Sequence, residues 1–467
     1  MLFNSFGFLG FFFAFVPIYY LTPHRYRWLL LTAASLFFYA TFRVEYLGLL
    51  FAVSAVAYGA GLLIARPTVE VRLKADATGR AELATGRAVL AASIAVIVGI
   101  LAASKLVPQA GFAGAAGLSF YSLSAISYLV DVHRRELTAE RHFGRVLLYL
   151  AFFPKLLAGP IERARPFLDE IANPAAFNGA RVVSGLQLVL WGLFKKVVIA
   201  DRLAVFVDAA YSQPDFASPA DLVIATYFFA FQLYCDFSGY SDMAIGTARV
   251  LGIELMENFR RPYLAGSVAE FWSRRWHLSL ASWFRDYVYI PLGGSRTSRL
   301  RHALNLMAVF LLSGAWHGAN WTFVIWGGLN GLYVAASTAF KRPSAVAPGI
   351  ARRVISAIVT FHAVLITWVF FRAASLSDAA TIFERTARAV PLLPRLLRVR
   401  LQDPAVLLAI ATIAVLVVVE IADEGRPVWD RLRERPRAFR WAVYYALLAA
   451  LVVLGTWNLR QFVYMQF

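Results

Sequence analysis

An all-α polytopic membrane protein is the fold class this sequence predicts, and three observations lead there. Sixty per cent of the 467 residues are apolar, and only 16 % are charged, where a soluble chain carries about a quarter. Mean hydropathy is +0.61. The apolar residues are gathered into long runs; a spanning helix needs about 20 of them, so the chain holds material for roughly ten spans. So much apolar mass does not fit inside one or two soluble cores. Disorder, a coiled coil and a secreted disulfide scaffold are excluded, the last because Cys235 is the only cysteine.

The first run, Met1 to Leu21, is apolar and aromatic. It lacks a positive leader and a small-residue cleavage site, so it is expected to persist as a first span. Further spans are expected near 27–42, 46–64, 88–104, 115–131, 184–206, 220–242, 304–313, 319–340, 352–372, 404–421 and 439–458. The run 304–313 is too short to cross alone. The stretch 143–160 is apolar but interrupted by Pro154, Lys155, Gly159 and Pro160. It is expected to be broken or re-entrant, which lipid tolerates only where protein or a wet cavity surrounds the backbone. The whole chain, 1–467, is expected to form one integral membrane domain. Within it, 1–131 supplies N-terminal spans, 132–340 a catalytic core and 341–467 C-terminal spans; the stretch 374–403 is a polar, amphipathic loop outside that core.

Lys plus Arg number 46 against 28 Asp plus Glu, a net charge of +18. In a membrane protein this balance points to basic cytoplasmic loops rather than to nucleic acid. His24, Arg25 and Arg27 follow the first span. Arg66, Arg72, Lys74, Arg80 and Arg87 follow the third, and Arg134, Arg135, Arg141 and Arg145 the fifth. The loops between offer only Arg43 and Lys105. The alternation predicts an extracytoplasmic N-terminus, and the Ala- and Arg-rich composition points to a bacterial plasma membrane, in contact with membrane lipid.

The segment 255–301 is too polar to span, yet dense in aromatics and arginines, including Trp272, Trp276, Trp283, Arg274, Arg275 and Arg285 against few acids such as Asp286. It is expected to form amphipathic helices at the interface, either as a lipid anchor or as a basic floor beneath a reaction chamber.

Of seven histidines, 24, 133, 142, 302 and 362 make no case for chemistry. His317 lies between apolar segments in Ser313-Gly-Ala-Trp-His-Gly-Ala-Asn-Trp321. An ionisable group at membrane depth is costly and marks function by default; the alternative is a hydrogen-bonded packing residue. His277 lies in the basic aromatic segment. No His-x-x-x-His pattern accompanies either, so no metal site is expected. Asp236 and Asp242 close a long apolar run and are expected to cap a helix and pair with nearby arginines. No nucleophile elbow or Walker loop is present. Together such residues suit acyl transfer: a neutral imidazole takes the proton of a hydroxyl attacking an activated carbonyl, and a basic face receives a phosphate-bearing thioester.

Longer motifs narrow this. Asn258-Phe-Arg-Arg-Pro-Tyr263, Phe271-Trp-Ser-Arg-Arg-Trp-His-Leu-Ser279, Trp283-Phe-Arg-Asp-Tyr-Val-Tyr-Ile-Pro-Leu-Gly-Gly294 and Ser313 to Trp321 occur in order. They follow Tyr128-Leu-Val-Asp-Val132, Phe153 to Ile161, Gly192-Leu-Phe-Lys-Lys196 and Tyr234 to Asp242. This set resembles the membrane-bound O-acyltransferase (MBOAT) family, in particular its alginate O-acetylation branch, over roughly 1–340.

The resemblance implies a helical bundle, here of about 10–12 spans with re-entrant and interfacial helices, around a central tunnel. It implies that His317 is catalytic, as general base, with His277 near the cytoplasmic mouth. Trp316, Asn320, Asn258, Arg274, Arg275, Arg285 and Asp286 are the implied substrate- and donor-binding positions. It further implies acetyl-coenzyme A as donor, no bound cofactor, and a separate extracytoplasmic acetyltransferase with polysaccharide-synthesis machinery as partners. Two other readings stand beside it: transfer of D-alanine from a carrier-protein thioester to an envelope polymer, and a transporter or flippase without acyl chemistry.

Overall fold

The structure, a computed structural model, describes residues 1–65, 78–106, 115–339, 349–457 and 462–463, and the backbone alone over 78–84. Arg66, Arg72 and Lys74 of the third basic loop lie outside the described residues, as does the side chain of Arg80. Helices make up the architecture, as hydrocarbon demands. Lipid has no hydrogen bonds to offer, and a helix satisfies its own backbone. Among the described residues, seven helices are long and apolar enough to cross a membrane: Tyr46–Ile64, Thr85–Leu106, Gly179–Ser212, Pro219–Val250, Ile350–Arg372, Pro404–Asp423 and Arg437–Leu454. The apolar helix Phe6–Leu21 is shorter. The run expected at 304–313 is part of a longer helix, Arg299–His317, followed by Trp321–Ala339.

The described chain divides into two compact units, Met1–Leu186 with Ala244–Met256, and Gln187–Met243 with Glu257–Val463. In the first, Phe3, Phe8, Phe38 and Phe153 form an aromatic cluster. Gly61 abuts Tyr128 so closely that a Cβ there would sit 2.9 Å from the ring. Small residues at such crossings let membrane helices approach. The interrupted stretch behaves as its prolines and glycines require. Helix Phe143–Ala151 ends and the chain turns through 152–160, buried throughout. Its backbone finds partners inside the unit: the Phe153 N–H donates to Ser35 Oγ at 3.1 Å and the Lys155 N–H to the Phe152 carbonyl at 3.0 Å.

The second unit is held by a helical hairpin and a buried ion cluster. The helices Arg299–His317 and Trp321–Ala339 touch backbone to backbone. A Cβ on Gly314 would lie 2.4 Å from the Phe323 carbonyl oxygen, and one on Gly327 2.4 Å from that of Phe310. Ser298 caps the first helix by accepting from the Arg301 N–H at 3.4 Å. Elsewhere the run 194–200 winds as a π-helix, turning both Lys195 and Lys196 into the unit. Lys196 Nζ meets Asp236 at 2.6 Å and Asp201 at 2.8 Å, and Lys195 Nζ meets Asp242 at 2.7 Å. Asp236 and Asp242 therefore lie inside the Pro219–Val250 helix and pair with lysines, rather than capping its end and pairing with arginines. A π-bulge next to two acids is the local reason: it faces consecutive lysines to one partner helix, where a charge without a partner would be expensive.

The hairpin makes a prediction from two adjacent glycines. Gly328 has only Leu311 Cδ2 near its Cβ position, at 4.0 Å. Gly327→Ala is expected to lower stability by about 1–3 kcal/mol through forced separation of the helices. Gly328→Ala should leave it level or slightly raised. Thermal unfolding midpoints in detergent read the difference, and equal midpoints would contradict the close approach.

Candidate active site

His317 ends the Arg299–His317 helix and is 3 % exposed. Its helix places it by packing, since the Gly314 contact draws it against the partner helix one turn before the histidine. Aromatic rings surround the imidazole. Trp316 lies 4.9 Å away centroid to centroid, Trp326 5.1 Å, Phe371 5.1 Å and Phe323 6.3 Å. The turn that follows is braced by Asn320. Its amide nitrogen donates to the Ala374 carbonyl at 2.8 Å, and its side-chain oxygen accepts from the Thr322 N–H at 3.2 Å. Asn320 therefore ties the hairpin turn to the start of the amphipathic 374–403 region, and both ends of its side-chain amide hold backbone.

The aromatic wall continues away from His317. Trp326 lies 5.5 Å from Trp272 and 6.2 Å from Trp368, and Trp368 lies 5.1 Å from Trp276. Trp272 donates its indole N–H to Asn330 Oδ1 at 2.9 Å. Trp276 meets Phe259 at 5.1 Å, and Phe259 meets the His277 ring at 6.3 Å. The two histidines thus stand at the two ends of one continuous run of aromatic contacts. A wall of indoles is apolar over most of its area, suited to a small acyl group or an apolar stem and poorly suited to free water.

His277 is 2 % exposed and has a backbone φ of 45°. Left-handed backbone at a non-glycine residue is uncommon and concentrates at functional sites. Its Nδ1 lies 3.0 Å from Asn258 Oδ1, and the Phe237 ring is 4.6 Å away. Asn258 is fully buried. It also accepts from Ser279 Oγ at 2.9 Å and donates to Ser241 Oγ at 3.0 Å. Asn258, one of the implied donor-binding positions, thus contacts the His277 ring directly. Burial pushes the His277 imidazole down to about 3, so it is neutral near pH 7.

The arginines divide. Arg275 is committed, with Nε 2.6 Å from Glu270 and Nη2 2.9 Å from Glu424. Arg261 reaches Asp423 at 2.7 Å and Glu424 at 2.8 Å. These pairs fasten the basic segment to the end of the Pro404–Asp423 helix, and the Arg275 guanidinium holds the Glu424 carboxyl below its ordinary range. Arg285 pairs with its neighbour Asp286 at 2.7 Å and is exposed. Arg274 is exposed and makes no ion pair among the described residues. Residues the sequence did not single out are Trp326, Trp368, Phe371, Ser241 and Ser279. The first three are ordinary apolar positions in spans, and only their convergence on a histidine marks them.

Residues 90–376 match the membrane-bound O-acyltransferase family, a span holding both histidines. The chain is 37 % identical over 391 residues to a probable alginate O-acetylase of Azotobacter vinelandii, covering 81 % of this chain and 76 % of that protein. It is 37 % identical over 295 residues to a peptidoglycan O-acetyltransferase of Helicobacter pylori, covering 57 % of this chain and 55 % of that protein. A teichoic acid D-alanyltransferase of Bacillus subtilis is 25 % identical over 236 residues, covering 48 % of this chain and 59 % of that protein.

Neutral His277 carries a pH signature. Its folded pKa lies below the ordinary value, so the unfolded chain binds the proton first. Its stabilising contribution is whole above about pH 6.5 and falls as pH drops toward 3, by up to about 1.4 kcal/mol per unit. Between about pH 6.5 and 4.5, the unfolding midpoint is expected to fall more steeply in wild type than in His277→Gln. Parallel curves would show that His277 is not buried as described.

Proposed function

The chain belongs to the membrane-bound O-acyltransferase family, and from that premise we propose that it carries an acetyl group from cytoplasmic acetyl-coenzyme A across the bacterial inner membrane to a hydroxyl serving extracytoplasmic polysaccharide O-acetylation. It is an O-acyltransferase and a multi-pass membrane protein. The acetyl donor rather than a D-alanyl one is favoured by the greater identity and coverage of the acetylase relatives.

One observation carries the reading: a buried histidine at a helix end, ringed by Trp316, Trp326, Phe323 and Phe371 within the family-matched span. In the proposed reaction His317 takes the proton of the acceptor hydroxyl as its oxygen attacks the thioester carbonyl. The new C–O bond forms, the C–S bond breaks, and the proton passes from the imidazolium to the departing thiolate. The carbonyl end of the Arg299–His317 helix lays negative potential where the proton arrives. The aromatic wall excludes the water that would hydrolyse the donor. Exposed Arg274, with Arg285 beside Asp286, meets the donor's phosphates, while Arg275 keeps the basic segment in place. The acceptor is a hydroxyl of a separate extracytoplasmic acetyltransferase or of the glycan itself, supplied by the polysaccharide-synthesis machinery.

The test uses inside-out vesicles given radiolabelled acetyl-coenzyme A on the outer face. Lumenal label is expected with wild type and is expected to fall by at least about 10²-fold in His317→Ala, the usual scale for removing a general base. Equal label in both would remove His317 from the chemistry. Label only when a loaded carrier protein replaces the coenzyme would move the donor to the D-alanyl type.

A further inference from the structure

The hydrogen bonds around His277 decide which of its two nitrogens holds a proton. The Ser279 backbone N–H lies 3.3 Å from one terminal atom of the Asn258 side chain. A backbone N–H can only donate, so that atom is the amide oxygen, Oδ1. The opposite end of the amide, the NH2, donates to Ser241 Oγ at 3.0 Å. The same Oδ1 stands 3.0 Å from His277 Nδ1. An amide oxygen only accepts, so Nδ1 must carry a hydrogen. In a neutral imidazole that leaves Nε2 with the lone pair.

We propose that Asn258 is a positioning residue: it locks His277 as the neutral Nδ1–H tautomer, so that His277 meets the reaction through Nε2 as a proton or hydrogen-bond acceptor. Ser241 and Ser279 hold Asn258 in turn, one from each side. The left-handed backbone at His277 and the Leu278 N–H bond to the Asn258 carbonyl, 2.9 Å, set the ring against the amide. The inference rests on the reading of His277 as part of the acyl-transfer site, and it constrains that reading. A neutral Nδ1–H imidazole has no proton to give from Nε2, so His277 is not the acid for the departing thiolate. It suits an N–H or O–H group of the donor, such as an amide of a pantetheine arm. The thiolate's proton then comes from His317, where the acceptor hydroxyl left it.

The experiment compares full-length wild type, Asn258→Asp, Asn258→Leu and His277→Gln in lipid nanodiscs. Histidine is labelled with 15N, and the His277 resonances are identified by their loss in His277→Gln. In wild type a protonated Nδ1 and an unprotonated Nε2 are expected. Asn258→Asp keeps an acceptor facing Nδ1 and should keep the tautomer, with Ser241 turning to donate. Asn258→Leu should release it, giving a mixture or the Nε2–H form. Transfer rates should follow the tautomer: about tenfold or more lost from kcat in Asn258→Leu, and largely retained in Asn258→Asp. An Nε2–H ring in wild type, or an unchanged ring in Asn258→Leu, overturns the assignment. A released ring with an unchanged kcat overturns the positioning role. Full activity in His277→Gln, with the wild-type tautomer as expected, would instead overturn the reading of His277 as a site residue.

Discussion

Hydrocarbon offers no hydrogen bonds, and every polar group at membrane depth must find its partner inside the protein. That constraint explains most of what the structure does. It makes the chain helical. It allows the turns of 152–160 because Ser35 and neighbouring carbonyls take up the freed backbone. It brings Lys196 between Asp201 and Asp236 and pairs Lys195 with Asp242. In the interfacial segment Asn258 likewise finds partners inside the protein, Ser241 at its NH2 and Ser279 and His277 at its oxygen. Buried polar networks of this sort are costly unless complete, and complete ones fix a single arrangement.

The candidate site uses the same economy. The helix bearing His317 is held by glycine contacts that admit no side chain at Gly314 or Gly327. Precision at the imidazole therefore comes from backbone touching backbone rather than from a loop. Around it indoles and phenyl rings take over as far as Phe259. An apolar wall between two histidines suits a reaction in which water competes with the intended hydroxyl. The charges stay at the margin. Arg261 and Arg275 are spent on Asp423, Glu424 and Glu270, which leaves Arg274 on the outside of a clamped segment.

The pairing expected of Asp236 and Asp242 is corrected by the third dimension. Asp236 and Asp242 follow an apolar run and precede many arginines, so arginine pairing was the natural reading. The helix instead continues to Val250, and the π-turn at 194–200 supplies lysines from a distant part of the chain. Asn320, one of the implied substrate-binding positions, sits three residues after His317. Its amide braces the hairpin turn against Ala374. In both places a contact between residues remote in sequence decides what the side chain holds.

The sequence by itself determined the solvent, and with it the helical class: composition and the length of the apolar runs leave no other way to satisfy the backbone. Its long ordered motifs also carried the family and singled out His317 and His277 as candidates. Only the tertiary structure decided how the two histidines are joined. Trp326, Trp368 and Phe371 are unremarkable apolar positions along their helices and become a wall only where those helices converge. It likewise decided the Asn258 contact to His277, since a hydrogen bond depends on the position of single atoms, which no one-dimensional pattern encodes.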